Sequence, residues 1–407
     1  MKIFGIEFGK TEKSEMVELP EKIDTSMAFE YVYKPTGSLN TRGSGDLGDP
    51  YIEFYRGSGP VYFGQDNLYP QHLNDMYNRS ALHSAIVDFK KELISGEGYE
   101  IEGIDSLDAS QKIRLKQFQD FVDGERTLQK FIDDITFDYL IHGTIYNKLY
   151  WNSDKSKLLK VKRIDPAKMR VGTSKTDYES VNKYYYCFEW SEYGRFGWVE
   201  LPPFDMTSDE KIDILRSTIP STLNWYCLPS YSSAANWINL DGDISLYHKS
   251  NIENSINPSM AIKYPEKPGS EEERRRILLN LKKQAQGAKN AGRSLIFFAD
   301  GKDNLPEIET IQVSNIDKQF NVTSDHIQRN ICYAHKINPL ILGLKTPGSL
   351  GNGAELDYAF DIFKEGVIKP AKKDIEEHIN KLLSLKGLNV KIKLNEKQFN
   401  IKNDTQK

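Results

Sequence analysis

The stretch Ile327–Leu383 reads IQRNICYAHKINPLILGLKTPGSLGNGAELDYAFDIFKEGVIKPAKKDIEEHINKLL. A polar helix ends near Tyr333, the chain breaks at Asn338-Pro339 into a loop punctuated by glycine and proline, and a long amphipathic helix begins at Ala354. The loop is apolar in its middle, at Leu340, Ile341, Leu342 and Leu344, and basic at its margins, at Lys336 and Lys345. Four large aliphatics in an exposed loop make contiguous apolar surface, which drives association. Coverage by identical neighbours accounts for the pattern, so a ring or another closed oligomer is expected.

Downstream, Leu356, Phe360, Phe363, Val367, Ile375, Ile379 and Leu382 form the stripe of the long helix, with Pro370 placed to kink or divide it. NVKIKL (Asn389–Leu394) reads as a last strand before a polar tail. Upstream, the polar helix begins near Ser314. Before it lies a compact excursion: the strand SMAIKY (Ser259–Tyr264), the helix SEEERRRILLNLKKQAQ (Ser270–Gln286), and the strands SLIFFA (Ser294–Ala299) and IETIQV (Ile308–Val313). Ser270 and Glu273 make a capping box for that helix. Ahead of the excursion, Pro229 opens another helix, through Asn254, with a stripe at Ala234, Trp237, Ile238, Ile244 and Tyr247. Gly242 weakens its middle by about 1 kcal/mol relative to alanine, which suggests a bend. One helix enters a small αβ module and another leaves it, the plan of a stalk with a tip.

The segment from 66 to 228 reads as an α+β domain. A helix starts at Tyr69; the next runs from the cap Ser80 to Gly96 with Leu82, Ile86, Phe89 and Leu93 on one face. A third covers Leu128 to His142 and stops at Gly143. TIYNKLYW, LLKVKRI, KYYYCFEW and RFGWVEL follow as β regions. Residues 1–65 form an arm that ends in two short strands around Gly57-Ser58-Gly59.

Composition bounds the chemistry. The net charge of −4 lacks the basic excess of a protein that grips DNA by neutralising phosphates, but suits a surface along which DNA moves. Cys187, Cys227 and Cys332, spread and odd in number, fit neither a disulfide framework nor a zinc site and are expected to be small buried hydrophobes. The N-terminus lacks a signal peptide's apolar run, and no stretch reaches the roughly 18 apolar residues of a membrane span. Gly43 to Gly48 matches GxGxxG, but Asp49-Pro50 follows where a helix should begin, so it reads as loop. The histidines (72, 83, 142, 248, 326, 335 and 378) show no metal spacing, and only His335, beside the loop, stands out. Asp133 and Asp134 read as a solvated face. Asp241 and Asp243 are the one carboxylate pair that leaves a metal-dependent nuclease open. Lys160, Lys162, Arg163 and Arg274 to Arg276 could meet phosphate or serve as solvated faces and ion pairs. No catalytic residue, cofactor or metal ligand is assigned.

Several segments, in order, resemble the portal proteins of tailed bacteriophages, the HK97-like portal family. NLYPQHLNDMYNRSALHSAIVDFKKELISGEG (Asn67–Gly98) looks like the lead into the wing, and DYLIHGTIYNKLYWNSDKSKLLKVKRIDPAKMRV (Asp138–Val171) like its helix and two strands. LPSYSSAANWINL is similar to the opening of the first stem helix. RSLIFFADG and HKINPLILG resemble a clip strand and the break after the second stem helix, and Asn352 to Leu383 the helix that follows.

The resemblance implies a portal-type α+β subunit with an α/β wing (66–228), a first stem helix (229–255), a small αβ clip (256–312) and a second stem helix (313–335). It further implies a channel-facing tunnel loop (336–353) and a long helix and tail (354–407) with a reduced crown. Lys336, Asn338, Pro339, Leu340, Ile341, Leu342, Leu344 and Lys345 would line the channel, the four aliphatics packed between neighbouring loops. The implied partners are a ring of about twelve copies, double-stranded DNA, the major capsid protein, the terminase large subunit and a head-tail adaptor, with no membrane. Another particle ring, such as an adaptor or baseplate component, stays open as the alternative.

Overall fold

Helix signals in the first half place their elements closely. In this computed structural model, α1 spans Tyr69–Arg79 with Pro70 in its first turn, and α2 spans Ala81–Ser95, where the Ser80 hydroxyl accepts the His83 N–H at 3.2 Å. The structure describes residues 53–55, 59–174, 180–254, 260–263, 307–310, 316–344 and 353–396, together with Glu272, Arg275, Arg276 and Leu279. After β3 (Tyr99–Glu102) comes α3 (Ala109–Asp120), opened by a capping box between Asp108 and Gln111. Then α4 (Leu128–His142) stops at Gly143, φ +67°, where an added Cβ would sit 2.8 Å from the Ile219 side chain. α2 and α4 pack together through Ile86, Leu93, Phe131, Ile132 and Ile135, all buried.

Two antiparallel sheets complete this body. In the first, β4 (Thr144–Trp151) lies between β5 (Leu158–Ile164) and β9 (Ile212–Thr218), with Leu149 opposite both Val161 and Asp213. The second orders β6 (Met169–Thr173), β7 (Val181–Tyr186) and β8 (Val199–Leu201), with the short helix α5 (Tyr193–Phe196) ahead of β8. The hairpin β1 (Glu53–Phe54) and β2 (Tyr62–Phe63) forms as expected, but it is not part of a free arm. Val61 and Phe63 are buried, and the Glu53 carboxylate accepts the N–H groups of Asn224, Trp225 and Tyr226. The body therefore begins by residue 53; the earlier part of the arm, with the GxGxxG string, lies outside the described residues.

A 3-10 turn at Ser232–Ala234 leads into α6 (Ala235–Asn254). α6 is continuous through Gly242. The glycine has another use: a Cβ there would lie 3.2 Å from the Arg79 Cβ, so its absence lets α1 and α6 approach closely. β10 (Met260–Lys263) pairs antiparallel with β11 (Glu307–Thr310), and α7 (Ile316–Ala334) returns to pack against α6. The strand Ser294–Ala299 and the capping box at Ser270 fall outside the described residues.

The long amphipathic helix is divided, as Pro370 foretells, into α8 (Gly353–Phe363) and α9 (Lys369–Leu385). Between them Lys364–Ile368 winds as a π-helix, and the Lys369 N–H reaches back to the Lys364 carbonyl. Proline supplies no N–H to the regular ladder, and the wider turn accommodates the lost bond. α9 buries Ile375, Ile379, Leu382 and Leu383 against the body. The final strand β12 (Lys391–Leu394) closes on β3, with Ile392 opposite Ile101.

Candidate functional site

The segment after α7 is a compact pair of capped turns. Lys336 takes a left-handed conformation, φ +54°, its N–H bonded to Tyr333 O at 3.0 Å, while the Ile337 N–H reaches Cys332 O at 3.0 Å. This is a Schellman ending with lysine where glycine is usual, and the buried pair Ile337 and Cys332 supplies its apolar contact. Next, the Asn338 side chain accepts the Leu340 N–H at 3.0 Å and Pro339 opens a 3-10 turn, Pro339–Leu342. Gly343, φ +74°, closes it, and the Leu344 N–H returns to Pro339 O at 3.1 Å.

The aliphatics of this turn sit differently from the sequence expectation of a loop covered only by neighbouring copies. Ile341, Leu342 and Leu344 are half-buried and pack against the chain's own core; Leu340 is half-buried without joining that core. The double cap pulls the backbone into a tight turn, which lays three of the four side chains onto their own subunit. Lys336 and Asn338 are exposed, Pro339 is half-buried, and Lys345 lies outside the described residues.

Uncovered apolar surface is found on the helices around the turn, as it is at Phe188, Phe196, Trp198 and Val199 around α5 and β8. Leu240 and Leu246 of α6, Tyr333 of α7, and Leu356, Tyr358 and Ile362 of α8 are all exposed, Tyr333 and Tyr358 by 69% and 70%. Such side chains on three neighbouring elements are what association would cover.

Behind the turn lies a polar cluster that sequence spacing could not assemble. His335, 1% exposed, bonds through Nε2 to His83 Nδ1 at 2.9 Å and through Nδ1 to Lys90 Nζ at 3.1 Å. Tyr231, whose hydroxyl donates to Ile141 O at 2.7 Å, stacks on His335 and tilts against His83. Burial, then the nearby Lys90 cation, pushes His83 down to about 3 and His335 well below its ordinary range. Burial, then Lys336, lowers Lys90 to about 7. His335, singled out by position alone, is thus a buried anchor of the turn.

The other candidates are engaged structurally. Asp241 accepts the Ser80 hydroxyl at 2.7 Å and Asp243 pairs with Arg79 at 2.5 Å, pinning α6 to the α1–α2 junction. No group of metal-ligating side chains is found among the described residues. Asp134 pairs with Arg126 and Lys130, and Asp133 accepts from Gln129. Arg163 forks onto buried Asp138 with two contacts of 2.5 Å, so it is not offered to phosphate; Lys162, Arg275 and Arg276 are exposed, and Arg274 lies outside the described residues. Ser217, His378 and Asn147 stand in line, at 2.7 and 2.5 Å from the imidazole, like a hydrolase triad. Burial pushes His378 down to about 3, which makes it a poor base, and its role is to bolt α9 to the β4–β9 sheet. All three cysteines are free and buried. No helix among the described residues is long and apolar enough to cross a membrane.

An α+β body, two packed helices joined through a small β pair, a doubly capped turn and a π-interrupted helix together define a structural subunit of the portal type. A family model described as phage portal protein matches residues 111–406, and the chain belongs to that family. Among solved structures, the neck of an empty GTA (gene transfer agent) particle computed with C6 symmetry aligns at 19% identity and TM-score 0.53, covering 83% of this chain and 86% of that one. The neck of a native GTA particle computed with C12 symmetry aligns at 18% identity and TM-score 0.52, over 85% and 88%. An HK97 family phage portal protein from Corynebacterium diphtheriae aligns over 79% of this chain and 94% of that one, at 9% identity and a TM-score of 0.46, too low to add weight. A comparison with curated proteins gives no match.

Proposed function

We propose that this chain builds a ring of about twelve copies at one vertex of a phage capsid, a channel for double-stranded DNA during packaging and ejection. Membership of the portal family carries the reading. The exposed apolar side chains of α6, α7 and α8 support it, because neighbouring subunits in a ring would cover them. The capped turn at 336–344 and the residues that follow, Lys345 included, would face the channel. There Lys336 offers an exposed positive charge, and the near-neutral chain avoids gripping the polyanion it passes. In this reading the ring sits in the virion after assembly in the host cytoplasm. It contacts the major capsid protein, then the terminase large subunit, and finally a head-tail adaptor.

The role is structural rather than catalytic. Asp241 and Asp243, the motive for a nuclease, are held by Ser80 and Arg79 and serve the packing of α6. Native mass measurement of the purified chain tests the ring: a species of about a dozen copies is expected. Ile362→Lys and Tyr358→Lys together should reduce it to smaller species while leaving the circular dichroism of the subunit unchanged. A wild-type chain that stays monomeric at every concentration and salt would overturn the reading.

A further inference from the structure

The cluster behind the turn contains a buried lysine amine that has no carboxylate partner among the described residues. Lys90 is 3% exposed, and its Nζ contacts His335 Nδ1 at 3.1 Å; among the described residues it forms no ion pair. Among the described residues, the groups facing the cluster are His83 and Lys90 from α2, His335 and Lys336 from the end of α7, Tyr231 from the turn before α6, and Tyr69 of α1 beyond it. None is a carboxylate.

Hydrogen-bond direction follows from donor supply. Lys90 donates to His335 Nδ1, so the His335 proton sits on Nε2 and is donated to His83 Nδ1. The His83 proton is then on Nε2, an atom buried with no partner in the structure. The chain therefore has no acceptor left. A further proton on either imidazole would abolish one of the chain's two bonds and set a positive charge beside the Lys90 amine, with Lys336 close by.

We propose that the Lys90–His335–His83 chain is a proton-sensitive latch, which holds the end of α7 and the turn 336–344 against α2 while both imidazoles are neutral and releases them on protonation. The sign is fixed by linkage. An imidazole whose folded value lies below its unfolded value of about 6.5 stabilises the closed state fully above that pH, and this stabilisation is lost as pH falls toward the folded value. Lys90, lowered in the same direction, also makes stability rise with pH, between about 7 and its ordinary value. The latch is a property of the subunit and does not depend on the ring reading.

Hydrogen exchange read by mass spectrometry, on the full chain as purified and corrected for the intrinsic pH dependence of exchange, tests the latch. Between pH 7.5 and 5, protection of amides 331–344 should fall at least about 30-fold if one imidazole is released and at least on the order of 900-fold if both are, from an open-state value of about 6.5, with Lys90 adding to the fall above pH 7. Amides of β7 (Val181–Tyr186), a strand that bonds no buried imidazole among the described residues, should change less than threefold. The double variant H83Q/H335Q should flatten the response. Wild-type protection at 331–344 that is constant over this range, or that falls in parallel with β7, would overturn the proposal, whatever the folding of the variants. So would a folded H83Q/H335Q protein with the wild-type response.

Discussion

Lys336 holds a left-handed backbone conformation that costs a side-chain-bearing residue about 1–2 kcal/mol and glycine almost nothing. Stability alone would favour glycine here. Lys336→Gly is expected to leave the turn intact and raise stability by up to about 1 kcal/mol, part of the gain being offset by the freer unfolded chain. Chemical denaturation of wild type and variant at matched concentration would check it, and a clear loss of stability would show that the side chain itself holds the turn. At this scale the sequence was partly legible. Free buried cysteines and an Asn-Pro break are local properties. The His83–His335 contact joins residues far apart in the chain, and no spacing rule reaches across that separation. The same holds for the Asp138–Arg163 fork, whose arginine reads in isolation as one more member of a basic cluster.

Elements with strong punctuation were legible: α2 between Ser80 and Gly96, α4 before Gly143, and the division of the last helix at Pro370. Others were not, α3 and β9 among them. α3 buries only Leu115 and Phe118 in a polar run, so its apolar period is too thin to register. β9 carries Asp213 at a fully buried position, where it pairs with Lys155 at 2.8 Å, and a charge inside a strand hides the alternation. Gly242 shows how one residue admits two physical explanations. Propensity alone says that Gly242→Ala should add about 1 kcal/mol to α6. The Arg79 Cβ, 3.2 Å from the new methyl, opposes that gain. The expected outcome is a variant no more stable than wild type, with Gly242→Leu markedly less stable because α1 and α6 must separate. Thermal unfolding of both variants decides between a close-packing role and a merely tolerated glycine.

Across the whole molecule, the oligomeric expectation drawn from the apolar loop rests on different residues. Three of the four aliphatics are laid onto their own subunit by the capped turn, while Leu240, Leu246, Tyr333, Tyr358 and Ile362 remain uncovered. Sequence reveals that a greasy segment needs cover; only the fold reveals whether its own chain supplies it. A cryo-EM reconstruction of the purified assembly, resolved well enough to trace helices, tests this most directly. A closed ring of about twelve copies is expected, with α6, α7 and α8 at the subunit boundaries and residues 336–345 nearest the axis. A particle without rotational symmetry, or a ring whose helices carry those apolar side chains toward solvent, would contradict it.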